Sequence, residues 1–238
     1  MGKPIIRFDS PSIGYAFHIS GKRTYNEACG IPRALDRVGE RWALLIVREL
    51  LLGPKRFTDL RTGLPQLGPD VLSQRLRDLE EAGVLEKRKL PPPAAAQVYE
   101  LTEWGKELEP VLHALGRWGA RAPLAPEGVG MSFDSHILSL KTLFDPARAE
   151  GFETTLELRL AGDHTFRVAV SGGRFEIDRG AAFSPDAVLE TDAGTLIALV
   201  HGRLDLAGAI EAGDLEIEGD GDVVARFLGL FPLPEPVV

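Results

Sequence analysis

One cysteine, Cys29, in 238 residues rules out a disulfide within the chain. A lone thiol suits a reducing compartment, and the expected location is the cytoplasm. No apolar run reaches the ~18–20 residues that a membrane-spanning helix needs. The longest, Trp42 to Leu52, is broken by Arg48 and Glu49. Residues 1–23 lack the apolar centre of a signal peptide, because Ile5, Ile6, Phe8 and Ile13 are scattered among Asp9, Ser10, Pro11 and His18. They read as a poorly ordered leader, or alternatively as a short strand packed on a partner domain. Reaction chemistry is missing as well. His18, His113, His136, His164 and His201 stand apart, with no Cys or carboxylate at zinc-ligand spacing. Asp214, Glu216, Glu218 and Gly219 imitate the start of a calcium loop, but Ala225 stands where the closing Glu belongs. There is no Gly-x-Ser-x-Gly elbow, and Gly14, Gly21 and Lys22 are too far apart for a phosphate loop. The reading is a non-enzyme with no metal and no cofactor.

The net charge of −8 disfavours nucleic acid as a partner of the chain as a whole. That charge is unevenly spread: residues 24–122 carry net +1, and residues 131–238 carry net −11. Such asymmetry points to two domains with different partners. A hydrophobic fraction of 44% is enough for each to build a core. The division expected is a leader at 1–23, a first domain at 24–122, a linker at 123–130 and a second domain at 131–238.

In the first domain the apolar residues repeat with helical period. Ile31, Ala34, Leu35 and Val38 mark one helix, with Pro32 in its first turn. Arg41 to Leu52 is apolar nearly all round, which marks a buried helix ended by Gly53-Pro54. Phe57, Leu60 and Leu64 mark a short helix. Pro69 opens another, which Gly83 closes. Val84–Leu90 and Gln97–Leu101 read as strands of a hairpin. Thr102 can cap a last helix with the stripe Trp104, Leu108, Val111, Leu112, Leu115 and Trp118, kinked by Pro110. The second domain switches to period two. Phe152, Thr154, Leu156, Leu158 and Leu160, then Phe166, Val168 and Val170, then Phe175 and Ile177, form an antiparallel meander with one buried face. Helical stretches follow at Ala193–His201 and Leu206–Ala212, then a strand at Leu215 and Ile217, then a helix from Asp220 to about Leu230. The fold class is α+β, an antiparallel sheet covered by helices.

A helix over Pro69–Gly83 gathers Leu72, Leu76 and Leu79 on a core side, by the ~3.6-residue period. Asp70, Ser73, Gln74 and Arg77 collect opposite, flanked by Arg75. Gln pairs bidentately with adenine, Arg with guanine, and Ser with either or with phosphate. Read alone, such a stripe is more often a plain solvated face. Here Arg56 and the short helix precede it, Gly68 caps it, and the basic strand Lys87-Arg88-Lys89 follows, which suits support, cap and phosphate contact around a DNA groove.

Several separated motifs carry a resemblance: Cys29, Ala34-Leu35-Asp36, Val38-Gly39, Arg41-Trp42, Phe57-Thr58-Asp59-Leu60, Leu72-Ser73-Gln74-Arg75-Leu76, Leu79-Glu80, Gly83, Tyr99-Glu100-Leu101-Thr102 and Gly105. In this order they resemble the HxlR-type winged-helix regulators of bacteria. The resemblance implies a homodimer that binds double-stranded DNA at a roughly palindromic operator, with the first and last helices at the dimer interface. Trp104, Leu108, Leu112, Leu115 and Trp118 suit that interface, and equally suit a monomer core. In several members the cysteine before the first helix is a redox or electrophile sensor, which makes Cys29 a possible sensor, with Arg33 or Arg41 able to favour the thiolate. A small buried packing role is the plain alternative. This chain departs from the family at three places. Gly68 stands where members often have Ser, Gly30 rather than Pro follows Cys29, and the wing tip Pro-Pro-Pro-Ala-Ala-Ala has no cation.

A second set, Val188-Leu189-Glu190-Thr191, Leu196 to Asp205 and Ala209 to Asp220, resembles the sterol-carrier-protein-like fold. It implies a non-catalytic apolar cavity for a hydrophobic small molecule. The candidate pocket is Phe152, Leu156, Leu158, Phe166, Val168, Phe175, Ile177, Leu196, Leu199, Phe227, Leu230 and Phe231. Periodicity cannot separate such a cavity from a packed core used for dimerisation. Three functions follow: a ligand-modulated DNA-binding regulator, a Cys29 thiol switch with a structural second domain, or a lipid carrier whose winged helix serves protein contact.

Overall fold

The computed structural model describes residues 24–92, 95–123, 131–162 and 164–237. The expected leader, the linker beyond Pro123 and part of the wing tip lie outside them. Two separate apolar cores organise the described residues.

The first core gathers α1 (Gly30–Val38), α2 (Ala43–Leu50), α3 (Phe57–Gly63) and α4 (Pro69–Glu81) with a hairpin of β1 (Leu85–Lys89) and β2 (Gln97–Leu101). Ile46, Val47 and Leu50 of α2 are buried, as its all-round apolar sequence requires. Leu64 and Leu67 are buried in the turn between α3 and α4, so this turn is packed and holds the two helices at a fixed angle. The hairpin pairs antiparallel, with Lys87 opposite Tyr99. Thr102 accepts a hydrogen bond from the Gly105 N–H at 3.0 Å, the cap expected of it. The last helix is not one kinked rod. It is two helices, α5 (Glu103–Lys106) and α6 (Glu109–Gly119). Pro110 has no N–H to give the Lys106 carbonyl, so the first helix stops, and the same proline sits comfortably in the first turn of the next.

The second core lies between a sheet and four helices. The sheet has strand order β5-β4-β3-β6-β7, from β3 (Thr154–Leu160), β4 (His164–Ser171), β5 (Arg174–Arg179), β6 (Ala187–Thr191) and β7 (Leu215–Gly219). The helices are α7 (Phe133–Leu143), α8 (Ala193–Val200), α9 (Leu206–Ala212) and α10 (Gly221–Leu228). The meander β3–β4–β5 is antiparallel as expected, with Leu156, Val168 and Ile177 in register across one face. The whole sheet is nevertheless mixed, because β6 pairs parallel to β3. Residues 180–186 return the chain across the polar face, where the Ala182 N–H donates to Glu157 Oε2 at 2.8 Å. Period-two reading shows which face a strand buries. It does not show which neighbour the strand chooses, so the parallel pair was not visible in the pattern.

Helix α7 has no counterpart among the expected elements. Its signal was present: Ser132 caps it, accepting from the Ser135 N–H at 3.2 Å, and Phe133, Ile137 and Leu140 recur at helical spacing. Ser, Asp, His and Lys between them diluted the stripe. The helix matters because it joins the two domains.

Candidate nucleic-acid interface and the second domain

Helix α4 buries Leu72, Leu76 and Leu79 and turns Asp70, Gln74 and Arg77 to solvent, with Ser73 half-buried. The exposed pair is ordered. Gln74 Oε1 accepts from Arg77 Nη2 at 2.7 Å, and Gln74 Nε2 donates to Asp78 Oδ1 at 3.0 Å. Arg75 behaves differently. Its Nη1 donates to Asp78 Oδ2 at 2.6 Å and lies 3.6 Å from Glu40 on the side of α1. It is expected to flank the reading face, and there it is half-buried and held between these two carboxylates. Asp78 was missed in the sequence, although its spacing of three and four from Arg75 and Gln74 is the spacing at which helical side chains meet.

Arg56 and Gly68 are exposed at the N-caps of α3 and α4. The Asp59 carboxylate reaches back to the Arg56 N–H at 3.0 Å. A Cβ at Gly68 would meet nothing within 4 Å. The residue that family members often carry there, Ser, therefore fits this backbone. On β1, Lys87, Arg88 and Lys89 are exposed; Arg88 is held by Glu100 at 2.7 Å, and Lys87 Nζ stands 5.6 Å from the centre of the Tyr99 ring.

Helix α6 has three sides. Leu108, just before it, and Leu112 pack on the first core. Glu109, His113 and Arg117 face α7. Lys141 Nζ lies 2.8 Å from Glu109 Oε1, His113 Nδ1 is 2.9 Å from Thr142 Oγ1, and Arg117 Nε donates to the Thr142 carbonyl at 2.6 Å. The helices come so close that a Cβ on Gly116 would sit 2.9 Å from Thr142 Cγ2. The opposite side, Val111, Leu115 and Trp118, is exposed, as are Trp104 on α5 and Ile31 and Leu35 on α1; Trp118 is 75% exposed. Glu109 is held down to about 2, chiefly by the hydrogen bond with His113 and then by Lys141, against the upward push of burial.

Cys29 is exposed at the N-cap of α1, and its side chain makes no cap bond. In the second domain the candidate pocket residues fill one core. Phe175, Phe227 and Phe231 meet with centroids 5.2 and 6.4 Å apart, and Phe166, Leu156, Leu158, Val168, Leu196 and Phe227 are fully buried. Phe152, Ile177, Leu199, Leu230 and Phe231 are buried too. Phe175 also borders a crevice of about 340 Å³ between the domains, lined by Glu109, Pro110, His113, Lys141 and Phe144. Among the described residues no group of three or more His, Cys, Asp or Glu side chains is placed to hold a metal ion, and no helix is long and apolar enough to cross a membrane.

A two-helix support and reader followed by a basic hairpin defines the winged helix-turn-helix class. Residues 37–124 match the model of the HxlR-like helix-turn-helix family, and residues 136–232 match that of the SCP-2 sterol transfer family. The HTH-type transcriptional regulator YvaP of Bacillus subtilis is 40% identical over 86 residues, 36% of this chain and 80% of that protein. The HTH-type transcriptional regulator YodB of the same species is 34% identical over 85 residues, 36% of this chain and 76% of that one. Among solved structures, the redox regulator HypR in its oxidized form is 28% identical, covering 41% of this chain and 100% of that one, with a TM-score of 0.38. The chain belongs to the HxlR-like helix-turn-helix family of transcriptional regulators and carries a second, SCP-2-type domain.

Proposed function

We propose that the protein is a cytoplasmic, homodimeric regulator that reads a roughly palindromic operator with α4 and grips phosphates with β1. The observation that carries this reading is the exposed Gln74–Arg77 pair, fixed by Asp78 on a helix whose other side is locked into the core. A base-reading side chain must be solvent-facing and already oriented, and these two are both. Arg56, Asp70, Ser73 and the exposed cap at Gly68 border the same face, and Lys87, Arg88 and Lys89 supply charge for phosphate contact. Arg75 flanks the same face and braces the helix through Asp78. Exposed Ile31, Leu35, Val111, Leu115 and Trp118 serve the dimer. Replacing Arg77 by Ala should weaken a specific duplex by ~1–3 kcal/mol. Replacing Lys87 should weaken all duplexes alike and flatten the salt dependence by about one unit per lost phosphate contact. Wild-type affinity in both Arg77→Ala and Gln74→Ala, measured by fluorescence anisotropy, removes the assignment.

In the same reading the second domain adjusts operator affinity by taking up a neutral or cationic hydrophobic small molecule. The SCP-2-type match and the aromatic cluster at Phe175 support this, and the −11 charge of residues 131–238 disfavours acidic ligands. The molecule first meets the aromatic cluster at the crevice between Phe144 and Phe175. Native mass spectrometry of the purified protein tests for it. A second reading, a thiol switch at Cys29, is favoured by that residue's exposure. A lipid carrier whose winged helix contacts protein is separated from both by absence of salt-dependent DNA binding.

A further inference from the structure

Charges taken out of water cost several kcal/mol each unless they are paired. A line of alternating charges nevertheless runs through the boundary between the two domains. Glu49 of α2 is fully buried. Its Oε1 accepts from Arg48 Nη2 at 2.9 Å and from Ser132 Oγ at 2.6 Å, and its Oε2 accepts from Lys55 Nζ at 2.6 Å. The same ammonium pairs with Asp134 Oδ2 at 2.5 Å, as an ion pair rather than a well-angled hydrogen bond. Asp134 Oδ1 accepts from Arg179 Nη2 at 2.8 Å, and that guanidinium lies 5.2 Å from the centre of the Phe166 ring. Burial pushes the Glu49 carboxyl up, but the bonds from Lys55 and Ser132 and the charges of Lys55 and Arg48 outweigh it and hold it below the usual range.

Each end of this line touches something functional. On one side, the Lys55 backbone pairs with Tyr99 of β2 in both directions, at 3.0 and 2.8 Å, and the Tyr99 ring carries Lys87. The last residue of α3, Gly63, lies so close to Glu49 that a Cβ there would be 2.4 Å from Oε2. On the other side, Arg179 ends β5 and Asp134 lies in the first turn of α7. The line therefore joins the root of the wing and the end of the support helix to the sheet wall of the second domain.

We propose that Lys55 is a positioning residue through which the second domain sets the pose of the wing and of α3. This rests on the DNA-binding reading above. Lys55 is shared between two buried carboxylates, one from each domain. If α7 or β5 shifts, Asp134 leaves the ammonium, a buried charge loses its partner, and Lys55 relaxes with the strand it pairs. The intact line holds the DNA-reading arrangement, and its loss releases it. Unlike an exposed ion pair, this one has little water to substitute for a lost partner.

The test uses the full chain and a duplex selected by the wild-type protein from a random pool. Asp134→Asn keeps the shape and removes the charge. It should weaken binding about tenfold, within the usual range of coupling between sites, and lower the salt slope by about one as the wing loses a phosphate contact. Its effect should be non-additive with Lys87→Ala, because both act through the wing; a merely structural role would leave the two additive. Arg179→Gln, at the partly exposed end of the line, should reproduce the loss if Asp134→Asn fails to fold. Arg167→Gln, which breaks only the exposed Arg167–Asp178 pair on the same sheet, should bind as wild type. Wild-type affinity in both Asp134→Asn and Arg179→Gln, or strict additivity with Lys87→Ala, overturns the proposal. An Arg77→Ala protein run in parallel separates the failures. Loss there with none in the Asp134 and Arg179 variants removes the positioning role alone, whereas no loss in any of them removes the DNA reading as well.

Discussion

In the first domain Ile31, Leu35, Val111, Leu115 and Trp118 stay exposed on helices whose other sides are packed. In the second, the apolar face of the sheet is closed from Phe152 to Phe231, and the exposed apolar residues lie mostly in connections and ends: Met131, Phe183, Leu233 and Val237, with Ile210 the helical exception. The polar faces differ in the same sense. The first domain presents the ordered Gln74–Arg77 pair and the exposed cations of β1, while the second presents Glu190, Glu216 and Glu218 around Arg159. A helix stripe left uncovered is open for contact, whereas the sheet face is covered by the chain's own helices. The first domain thus leaves apolar helix faces open, and the second closes its sheet with its own helices.

Truncations should break the two halves in different ways. The largest effect is expected at Phe166, fully buried between the Phe133 ring and the Arg179 guanidinium. Phe166→Ala should cost ~3–5 kcal/mol of stability. Urea unfolding of the full chain measures it, and a loss under 1 kcal/mol, well below that range, would mean that the core is loose enough to relax. Trp118→Ala should do the opposite. Folding stability of the monomer should hardly change, while dimerisation should weaken by ~2 kcal/mol or more if Trp118 is an interface anchor. Sedimentation equilibrium decides it, and an unchanged dimer constant would return Trp118 to the surface as an ordinary exposed ring.

Much of this contrast was legible in the sequence because it is periodic. The stripe of α4 and the alternation of β3, β4 and β5 each marked a buried face, and the HxlR and SCP-2 resemblances agreed with them; the stripe of α6 did so only in part, since Leu108 and Leu112 pack while Val111, Leu115 and Trp118 stay exposed. What was not legible is what depends on distant pairing. Nothing local tells β6 to lie parallel to β3, or Lys55 to meet Asp134, 79 positions away along the chain. Arg75 shows a subtler limit. Its place on the helix wheel puts it beside Gln74 and Arg77, but the wheel does not show that Asp78 and Glu40 hold it by ion pairs. Helix α7 was missed for a compositional reason, since its polar residues interrupt the stripe.

A smaller effect follows from acid, and the most strongly shifted carboxylate in it, Glu109, stands at the seam between the domains. Glu109 sits at about 2 in the fold against an ordinary 4.5, and Glu49 is lowered too. Both carboxylates take up a proton more readily in the unfolded chain. Their contribution is complete above about 4.5 and is lost as pH falls, for Glu109 down to about 2. His136 and His201 are lowered by burial, so they favour the neutral form in the fold; their contribution is complete above 6.5 and fades as pH falls below it. Stability should therefore decline in two stages from neutral pH downward. Glu109→Gln should flatten the lower stage and leave the upper one. A urea midpoint that stays level from 6.5 to 4.5 would remove the histidine stage.

The smallest effect on the fold is expected at Cys29, and it bears on which half of the molecule senses. Cys29 is exposed, packs in neither core and occupies the N-cap of α1 without making a cap bond. Serine is among the best residues at that position, so Cys29→Ser should raise stability by a few tenths of a kcal/mol at most. It should leave duplex affinity unchanged in reducing buffer, because Cys29 lies outside the face formed by Gln74, Arg77 and Lys87. An oxidant is what separates the readings. As the chain's one thiol, Cys29 can form a disulfide only with another molecule, such as a second copy or a small thiol. If the first domain senses through it, mild oxidation releases the wild type from DNA and spares Cys29→Ser. If sensing belongs to the second domain, both proteins keep DNA under oxidation, and both respond alike to a bound hydrophobic molecule. An oxidant response equal in the two proteins ends the thiol reading and leaves regulation to the SCP-2-type domain.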